Sequence, residues 1–292
     1  MRVSPSSGRL LGGAVRLVPS EPGLLIETGE TRTLIASDLH IGFEKSLARK
    51  GINIPSQTKK LLAKMKRIVK AHRATRVILL GDVKHGTSKI LMHEWTDIPE
   101  FFDGLQGLVD RIEIVPGNHD GGLRHLLPPS IVLHPPQGVI IESGGRKIVL
   151  IHGHAWPLDA AFSCDALIMG HHHFTFEFRD PSGLRMVEQI WLLTSWDAKS
   201  AVASYLRSYD GDDLKKPEVQ NLKRRARRLA LIVLPAFNPL LGGSPVNRAP
   251  PEDYLGPIFT SGGVDMGRAE IFLLDGTPLG RLGSLGLNMS AE

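Results

Sequence analysis

Five short motifs in this chain carry residue types that bind metal ions or phosphate, and each follows a short apolar run. In chain order they are Asp38-Leu39-His40, Gly81-Asp82, Gly117-Asn118-His119-Asp120, His152-Gly153-His154 and Gly170-His171-His172-His173. Any one of them occurs by chance in ordinary proteins. Together they supply carboxylates, an amide and several imidazoles, the mixture of oxygen and nitrogen ligands that binds paired divalent cations. The series therefore predicts a two-metal site.

The apolar runs before these motifs are predicted to be buried β-strands. They are short, rich in Val, Ile and Leu, and bounded by turn residues, which is typical of strands covered on both faces. The five runs span residues 33 to 37, 76 to 80, 112 to 115, 147 to 151 and 166 to 169. Each candidate ligand then falls at the carboxyl end of a strand, where open α/β sheets place their sites.

Strand alternation predicts which side chains in two of the motifs share a side. In Asp38-Leu39-His40 the first and third side chains would enter one crevice while the middle one points away. The same alternation in His171-His172-His173 would set the middle ring opposite its neighbours. Asp82 follows a glycine that allows close backbone approach, so its carboxylate could give one oxygen to each of two cations.

The bulk composition indicates a globular protein with a sizeable core. The chain has 292 residues, 42% of them hydrophobic, which suits one large α/β domain or a domain with an appendage. No stretch approaches the length of a membrane span. Cys164 is the only cysteine, and the N-terminal residues lack the apolar core of a secretory signal. These features predict a cytoplasmic protein without membrane attachment.

The charge of the chain favours a polyanionic partner such as nucleic acid. The formal net charge is +5, although many basic proteins bind no anion in particular. The strongest local signal is a basic cluster of five residues, Lys223, Arg224, Arg225, Arg227 and Arg228. On a helix these charges would spread around most of the circumference, so a phosphate-binding segment and a solvated surface helix both remain open.

Periodicity predicts further elements outside the motifs. One helix is predicted over residues 57 to 71 with Ser56 as its N-cap, and another over residues 98 to 108. Further strands are predicted at 185 to 193, 201 to 209 and 269 to 274, the last followed by the tight turn Asp275-Gly276. Residues 210 to 216 read as an exposed loop and residues 235 to 247 as irregular.

In their full order, the motifs from residue 34 to residue 173 resemble those of the calcineurin-like metallophosphoesterase superfamily. The resemblance implies an α/β fold, the layered α/β/β/α sandwich, here completed by C-terminal strands and a basic segment. Residues 1–292 would form a single domain, with the motif-bearing core at about 33–200 and its completion at about 201–292.

The resemblance also implies a hydrolase of phosphate esters that holds two divalent metal ions per chain. By position, the first ion would be bound by Asp38, His40, Asp82 and His173, and the second by Asp82, Asn118, His152 and His171. Oxygen and nitrogen ligands without thiolate suit Mn²⁺, Fe or Zn²⁺, of which we expect Mn²⁺. The implied reaction is attack by an activated water in line with the leaving group.

Other residues of the motifs receive supporting roles. His119 corresponds to the superfamily's histidine beside the scissile phosphate, a candidate general acid or transition-state stabiliser, and we expect Asp120 to orient it. We expect His154 and His172 to lie behind the ligands rather than bind metal. His85 either faces the substrate phosphate or is structural.

A narrower resemblance, to Icc-related phosphoesterases, bears on the substrate. It rests on Asp38-Leu39-His40-Ile41-Gly42-Phe43-Glu44, Gly81-Asp82-Val83-Lys84-His85 and Asp275-Gly276-Thr277. Some of these relatives are associated with DNA ligases and helicases, which implies a nuclease with DNA-repair partners. We expect phosphodiester hydrolysis in DNA or RNA. The alternatives are a small-nucleotide phosphodiesterase or phosphatase, a noncatalytic interaction protein, and a nucleic-acid-binding accessory subunit with structural metal.

Overall fold

Two β-sheets pack face to face, and helices lie against their outer faces. The computed structural model describes residues 8–87, 89–207, 221–248 and 253–285. The strands are β1 (Arg9–Leu10), β2 (Val15–Leu17), β3 (Leu24–Thr28), β4 (Thr31–Ala36), β5 (Arg76–Leu79), β6 (Arg111–Ile114), β7 (Val132–Leu133), β8 (Val139–Ser143), β9 (Arg146–Leu150), β10 (Ala166–Met169), β11 (Thr175–Arg179), β12 (Arg185–Asp197), β13 (Arg228–Val233), β14 (Glu270–Leu273) and β15 (Pro278–Arg281). The helices are α1 (Phe43–Ala48), α2 (Thr58–His72), α3 (Glu94–Leu105), α4 (Ala198–Leu206), α5 (Leu222–Arg225) and α6 (Pro257–Thr260).

Each sheet contains a group of parallel strands. The first sheet has the order β1-β2-β3-β4-β5-β6-β7, in which β4 to β7 are parallel. The second has the order β15-β14-β12-β13-β10-β9-β8, with β11 paired to β12. There β10 lies between β9 and β13 and runs parallel to both. The carboxyl ends of β4, β5 and β6, and those of β9 and β10, therefore form two edges on which loops can present ligands.

Three buried apolar layers hold these elements together. Side chains of both sheets, such as Ile78 and Ile168, share the layer between them. On the outer face of the first sheet, Met65 of α2 and Phe101 of α3 belong to a second layer. On the outer face of the second sheet, Val202 of α4 belongs to a third. This is the α/β/β/α sandwich that the motifs implied, since every layer is closed by elements with one apolar face.

The five predicted motif strands are confirmed as β4, β5, β6, β9 and β10, with ends within two residues of the predicted ones. The strand predicted at 185 to 193 is β12, which continues to Asp197. It is longer because its first half pairs with β11 and its second half with β13 and β14. The predicted C-terminal strand is β14, and Asp275-Gly276 forms the turn into β15.

The helix predicted over 57 to 71 is α2, displaced by one residue. Gln57 occupies the N-cap position, while the Ser56 hydroxyl accepts a hydrogen bond from the Thr58 amide at 3.4 Å. The second predicted helix, 98 to 108, instead runs from Glu94 to Leu105 as α3. Its early start has a specific cause, because the buried Glu94 carboxylate accepts bonds from the backbone amides of Gly86 and Leu91, each at 2.8 Å.

The strand predicted over residues 201 to 209 is wrong, because this segment lies largely in helix α4. Asp197 caps the helix by accepting a hydrogen bond from the Lys199 amide at 3.1 Å. The buried residues are Ala198, Ala201, Val202 and Tyr205, a helical spacing of three, four and seven positions. That period was obscured by the small size of the alanines. Residues 208 and 209 lie outside the described chain, as does the loop predicted at 210 to 216.

The basic cluster is divided between two elements rather than carried on one helix. Lys223 to Arg225 lie in the short helix α5, Arg227 follows it, and Arg228 begins β13. The segment from 235 to 247 has no regular secondary structure, as predicted. Among the helices of the described chain, none combines the length and apolar character that crossing a bilayer requires.

Candidate metal centre

The two parallel edges bring the seven predicted metal ligands into one cluster. β4, β5 and β6 lead into Asp38, Asp82 and Asn118, respectively. β9 and β10 of the other sheet lead into His152 and the histidine run at 171 to 173. The ligand atoms form two groups, and the atoms of each group lie within 4.8 Å of one another. The first group consists of Asp38, His40, Asp82 and His173, and the second of Asp82, His152 and His171. Asn118 joins the second group, with its Oδ1 3.2 Å from His152 Nε2.

The ligand-bearing backbone is not the extended strand from which alternation was argued. Positive φ angles occur at five predicted ligands, namely Asp38 (61°), His40 (40°), Asp82 (51°), His171 (74°) and His173 (47°). This left-handed conformation costs a non-glycine residue about 1–3 kcal/mol, so the surrounding fold must hold it in place. Asp38 and His40 nevertheless face the cluster together, as alternation predicted, while Leu39 between them is buried in the core.

Asp82 is the shared member of the two groups. Its Oδ2 lies 3.2 Å from His40 Nε2 in the first group and 3.4 Å from His152 Nε2 in the second. Its Oδ1 accepts a hydrogen bond from the His119 backbone amide at 2.9 Å. One carboxylate therefore faces both groups while the amide hydrogen bond fixes its orientation.

Asp38 is held from several sides at the base of the first group. The Ser37 hydroxyl lies 2.7 Å from Asp38 Oδ2, and the His171 amide donates to the same oxygen at 3.1 Å. His173 Nε2 lies 3.0 Å from Asp38 Oδ1. The side chain is completely buried, so its carboxylate oxygens have no access to bulk water.

The donor atoms fit a pair of divalent cations. In the described chain, His40 Nε2 and His173 Nε2 are buried and have no hydrogen-bond partner of good geometry. His152 donates through Nδ1 to the Leu80 carbonyl at 2.8 Å, which leaves its Nε2 lone pair beside Asp82 and 3.1 Å from His171 Nδ1. Imidazole nitrogens that converge on carboxylates in this way are characteristic of metal ligands.

The electrostatics of the cluster favour a positive charge at its centre. Burial alone would raise the pKa of Asp38, but the charge and hydrogen bond of His173 lower it to about 2. Burial would likewise raise the pKa of Asp82, and the neighbouring His152 and His40 hold it well below its usual range. The same Asp82 contacts overcome the effect of burial on His152 and raise its pKa to about 9. Both carboxylates are thus ionised at neutral pH.

His119 stands at the edge of the cluster, with Nε2 4.0 Å from Asp82 Oδ2. Its Nδ1 lies 2.6 Å from the His85 carbonyl oxygen, which can only accept, so Nδ1 carries a proton. We expected Asp120 to orient this ring, but its described hydrogen bonds come from the backbone amides of other residues. Asp120 is buried and accepts hydrogen bonds from the backbone amides of Val83, Lys84 and Gly117, and it therefore holds the two motif loops together.

His85 lies beside His40 and His119 at the edge of the cluster. Its Nδ1 is 3.2 Å from His40 Nδ1, and its ring stacks on His119 with centroids 5.6 Å apart. Burial, His40 and His119 lower the pKa of His85 to about 4, so the ring is neutral at physiological pH. His40, His85 and His119 also lie within ligand distance of one another. We do not assign a third metal to them, because the trio lacks a carboxylate and its Nδ1 atoms already form hydrogen bonds.

A cleft of about 370 Å³ opens beside His85 and His119. Its described lining includes three basic residues, Lys45, Arg49 and Lys89, and no acidic one. Lys45 and Arg49 come from α1 and the residue that follows it, directly after the first motif. Sequence reasoning missed them, since two basic residues four positions apart are common on any surface helix.

His154 and His172 lie outside the two ligand groups, and their supporting role stays a prediction. The ring of His154 lies 5.3 Å from that of His152, and burial and the charge of His152 lower its pKa to about 4. His172 points away from the cluster, with Nε2 2.7 Å from the Leu255 carbonyl and its ring 4.3 Å from that of Phe259. Neither belongs to a ligand group of the described chain.

Arg228, the last residue of the basic cluster, lies away from the metal ligands, and the role of the cluster in nucleic-acid binding stays a prediction. Arg228 begins β13, and β13 runs parallel to β10, whose other end leads to the histidine run. Arg228 is thus separated from the ligand edge by the length of the strand, about 16 Å at roughly 3.3 Å per residue. With Arg146 and Arg268 it lines a cavity of about 780 Å³ at that opposite end.

The irregular segment after β13 forms hydrogen bonds with the backbone of the first motif and of the residue before it. The Phe237 amide donates to the Ser37 carbonyl at 2.8 Å, and Asn238 Nδ2 donates to the Leu39 carbonyl at 2.9 Å. Asn238 is completely buried. Sequence reasoning missed this residue, because nothing in the chain links position 238 to a motif two hundred residues earlier.

Comparisons with known proteins agree with this geometry. Residues 32–193, more than half of the chain, match the model of the calcineurin-like phosphoesterase superfamily domain. The crystal structure of the nuclease MPE from Pseudomonas putida is similar, with a TM-score of 0.52 and 17% sequence identity, over 93% of this chain and 98% of that one. The phosphoesterase Yfce from E. coli matches 51% of this chain and 73% of its own, with a TM-score of 0.34 and 18% identity. No curated protein matches the chain by sequence.

The matched residues contain all five motifs, and the fold of the Pseudomonas nuclease extends over nearly the whole chain. Members of the matched family hydrolyse phosphate esters at a site for two divalent metal ions, and the two ligand groups sharing Asp82 correspond to such a site. The chain therefore belongs to the calcineurin-like phosphoesterase superfamily and is a hydrolase that acts on phosphate ester bonds.

Proposed function

We propose that this protein is a two-metal phosphodiesterase that cleaves the backbone of DNA or RNA. One observation carries the proposal. His119 lies between Asp82 and the cleft, with its Nε2 4.0 Å from the shared carboxylate. The described wall of the cleft is basic and has no carboxylate. A phosphodiester bound at the ligand groups could therefore extend its chain past His119 into surroundings that favour negative charge.

In this proposal, Asp38, His40, Asp82 and His173 hold one cation, and Asp82, Asn118, His152 and His171 hold the other. Bound cations of this kind supply Lewis acidity to the phosphoryl group and to a water nucleophile. The chain contributes the rest. Asp82 would help to hold both cations, since its Oδ2 lies beside His40 in one group and His152 in the other. The His119 amide keeps that carboxylate from rotating.

His119 is proposed as the general acid. Because its Nδ1 proton is committed to the His85 carbonyl, Nε2 is the atom left for the substrate. A protonated Nε2 can donate to the leaving oxygen, which departs as an alcohol rather than an alkoxide. His85 supports this role in two ways, through its carbonyl and through the ring that stacks on His119.

The preference for a polynucleotide rests on charge and on fold. The net charge of +5 and the basic cleft favour an extended anion over a neutral ester. The fold is shared with a protein described as a nuclease.

As a cellular setting we propose DNA repair, because three motifs resemble those of ligase-associated phosphoesterases. As the native metal we propose Mn²⁺, because the ligands are oxygen and nitrogen atoms.

The second candidate is a phosphodiesterase or phosphatase for a small nucleotide. It is favoured by the cleft volume of about 370 Å³, near the lower end for small-ligand pockets. A noncatalytic interaction protein is the weakest alternative, because the predicted ligands and His119 all meet in one cluster.

The test is a substrate panel with protein loaded separately with Mn²⁺, Fe²⁺ or Zn²⁺. The panel contains bis-p-nitrophenyl phosphate, p-nitrophenyl phosphate, cyclic nucleotides, and end-labelled single- and double-stranded DNA and RNA. We expect diester cleavage to exceed monoester cleavage and at least one polynucleotide to be cut. Asp82→Ala should abolish turnover on every substrate. Cleavage of small nucleotides with every polynucleotide intact would select the second candidate.

A further inference from the structure

We propose that Lys45 and Arg49 form a subsite for a second phosphate of the substrate, one nucleotide away from the phosphate that is cleaved. The inference rests on the proposed function and narrows it to substrates that carry at least two linked phosphates. The shared chemistry is a phosphodiester-linked nucleotide chain, whether its sugar is deoxyribose or ribose.

The positions of the two side chains place them beside the candidate general acid. Both line the cleft that has His85 and His119 in its wall. Lys45 and Arg49 are separated by four positions, and the Arg49 amide donates to the Lys45 carbonyl, so the two side chains emerge on the same side of α1. The ring of Phe43 lies edge-on to that of His85, with centroids 5.1 Å apart, which joins α1 to the catalytic edge.

Charge carries the second step. Both side chains belong to exposed residues. Within the described chain, neither forms an ion pair with a carboxylate, whereas Arg67 and Arg76 do so with Glu21 and Glu113. Arg49 is close enough for its charge to act on the His85 ring. The charge of Lys45 also reaches Asp97, but neither cation is held in an ion pair of the described chain, so both side chains can bind an anion beside the candidate general acid. The metal ligands already account for the scissile phosphate.

The chemistry of the substrate carries the third step. In a nucleotide chain, the next phosphate follows the scissile one at the distance of one sugar and its linkages, about 6–7 Å for backbone at the usual extension. A guanidinium and an ammonium group are the two side chains that bind phosphate oxygens most strongly. A dinucleotide with one phosphate, or a small aryl ester, has nothing to place there. The subsite would therefore select chains over mononucleotides.

The activity test compares substrates that differ by one phosphate. The probes are the dinucleotides TpT and UpU and the trinucleotides TpTpT and UpUpU. For the wild type we expect kcat/KM to rise about tenfold or more from a dinucleotide to its trinucleotide, since one charge-assisted contact supplies roughly that factor. In Lys45→Gln/Arg49→Gln this gain should shrink to the statistical factor of about two that a second cleavable bond provides.

A binding test separates the subsite from catalysis. Fluorescence anisotropy with labelled dT12 in EDTA measures affinity against salt concentration without cleavage. Because the two side chains neutralise one phosphate, removing both should lower the slope of log K against log salt by about 0.7, the value per phosphate on a single strand. The matched control is Lys59→Gln/Lys70→Gln, which removes the same charge from exposed positions of α2 that do not line the cleft. Its slope should exceed that of the cleft variant.

The outcomes distinguish the two claims. If the wild type cleaves dinucleotides and trinucleotides, but the cleft variant keeps the full trinucleotide gain or the wild-type salt slope, the subsite is wrong and the proposed function stands. If the wild type cleaves no oligonucleotide, the proposed function is wrong, and the subsite is then judged by the binding slope alone. Equal slopes for the cleft variant and its control would overturn it.

Discussion

The Nδ1 atom of His119 lies 2.6 Å from the backbone carbonyl oxygen of His85. This contact joins the second motif to the third, and it determines which nitrogen of His119 is presented to the substrate. Because the acceptor is the backbone carbonyl of residue 85, the contact does not depend on the side chain at that position. The orientation of the candidate general acid therefore depends on the path of the 81 to 86 loop, which the buried Asp120 holds through hydrogen bonds from two of its amides.

Replacing His119 by Ala should impair substrates with poor leaving groups far more than activated ones. A nucleoside hydroxyl needs a proton as it departs, and general acid catalysis contributes about 10²–10⁴-fold. A p-nitrophenolate needs little help, because it is already a stable anion. We expect kcat for a dinucleotide to fall by about 10²-fold or more, and that for bis-p-nitrophenyl phosphate by much less. Equal losses on both substrates would contradict the role of acid.

Metal titration should separate the shared ligand from the others. Calorimetry of metal-free protein with Mn²⁺ should give two ions per chain. His173→Ala should weaken one of these sites and His171→Ala the other, whereas Asp82→Asn should weaken both. Saturation should also stabilise the wild type, by about 2.7 kcal/mol per site at a hundredfold excess over Kd. A wild type that binds a single Mn²⁺, or an Asp82→Asn variant that retains both sites, would contradict the assignment.

Gly81→Ala should destabilise the fold and the metal centre together. Gly81 has a φ of 75°, and an added Cβ would lie 2.6 Å from both the Gly117 amide nitrogen and His152 Nδ1. We expect a loss of about 3 kcal/mol in the free energy of unfolding, from backbone strain and overpacking combined. Gly29→Ala is the matched control, since its φ is 59° and nothing lies within 4 Å of the added atom.

Backbone strain alone should make Gly29→Ala cost about 1 kcal/mol, with unchanged Mn²⁺ affinity. The two variants are compared by urea denaturation of the metal-free proteins and by Mn²⁺ titration. Equal losses of stability in both would show that the contact between Gly81 and the neighbouring motif has no effect of its own.

Acid should remove a stabilising contribution from Glu113, which is remote from the ligands. Burial would raise the pKa of this carboxyl, but its bonds to His134 and Arg76 lower it to about 2 from a usual value of 4.5. The ionised form therefore stabilises the fold above about pH 4.5, and this contribution is lost as the pH falls towards 2.

Glu113→Gln should accordingly lower the free energy of unfolding by about 2 kcal/mol at pH 7, because it removes charge-assisted hydrogen bonds. The difference from the wild type should narrow at pH 3. Urea denaturation at both pH values measures it, with the exposed Asp103→Asn on α3 as the control. A difference that is the same at both pH values would show that the charge of Glu113 is not what stabilises the fold.

Much of the fold was predictable because its signals are local. Val77, Ile78 and Leu79 form a run too short and too β-branched for a helix, and they became the centre of β5. Helix α4 was mistaken for a strand because its apolar period is carried by alanines, whose small contribution to hydrophobicity hides the spacing. The start of α3 was missed for a different reason, since a buried glutamate bonded to the amides of the preceding loop leaves no periodic signal.

The ligands themselves were determined by the sequence. The residue types of the ligands indicate which cations they can bind, and their positions after apolar runs place them at the carboxyl ends of strands. Both properties can be predicted from single segments of the chain. Tertiary structure decided how they combine. Asp82 faces both histidines, His40 and His152, only because two sheets meet at that edge. In sequence, the basic cluster at 223 to 228 is the stronger signal, but strand direction places its Arg228 at the end of β13 remote from the ligands, whereas Lys45 and Arg49 line the cleft beside His119. Charge and residue type are local, whereas distance between segments is a property of the folded chain.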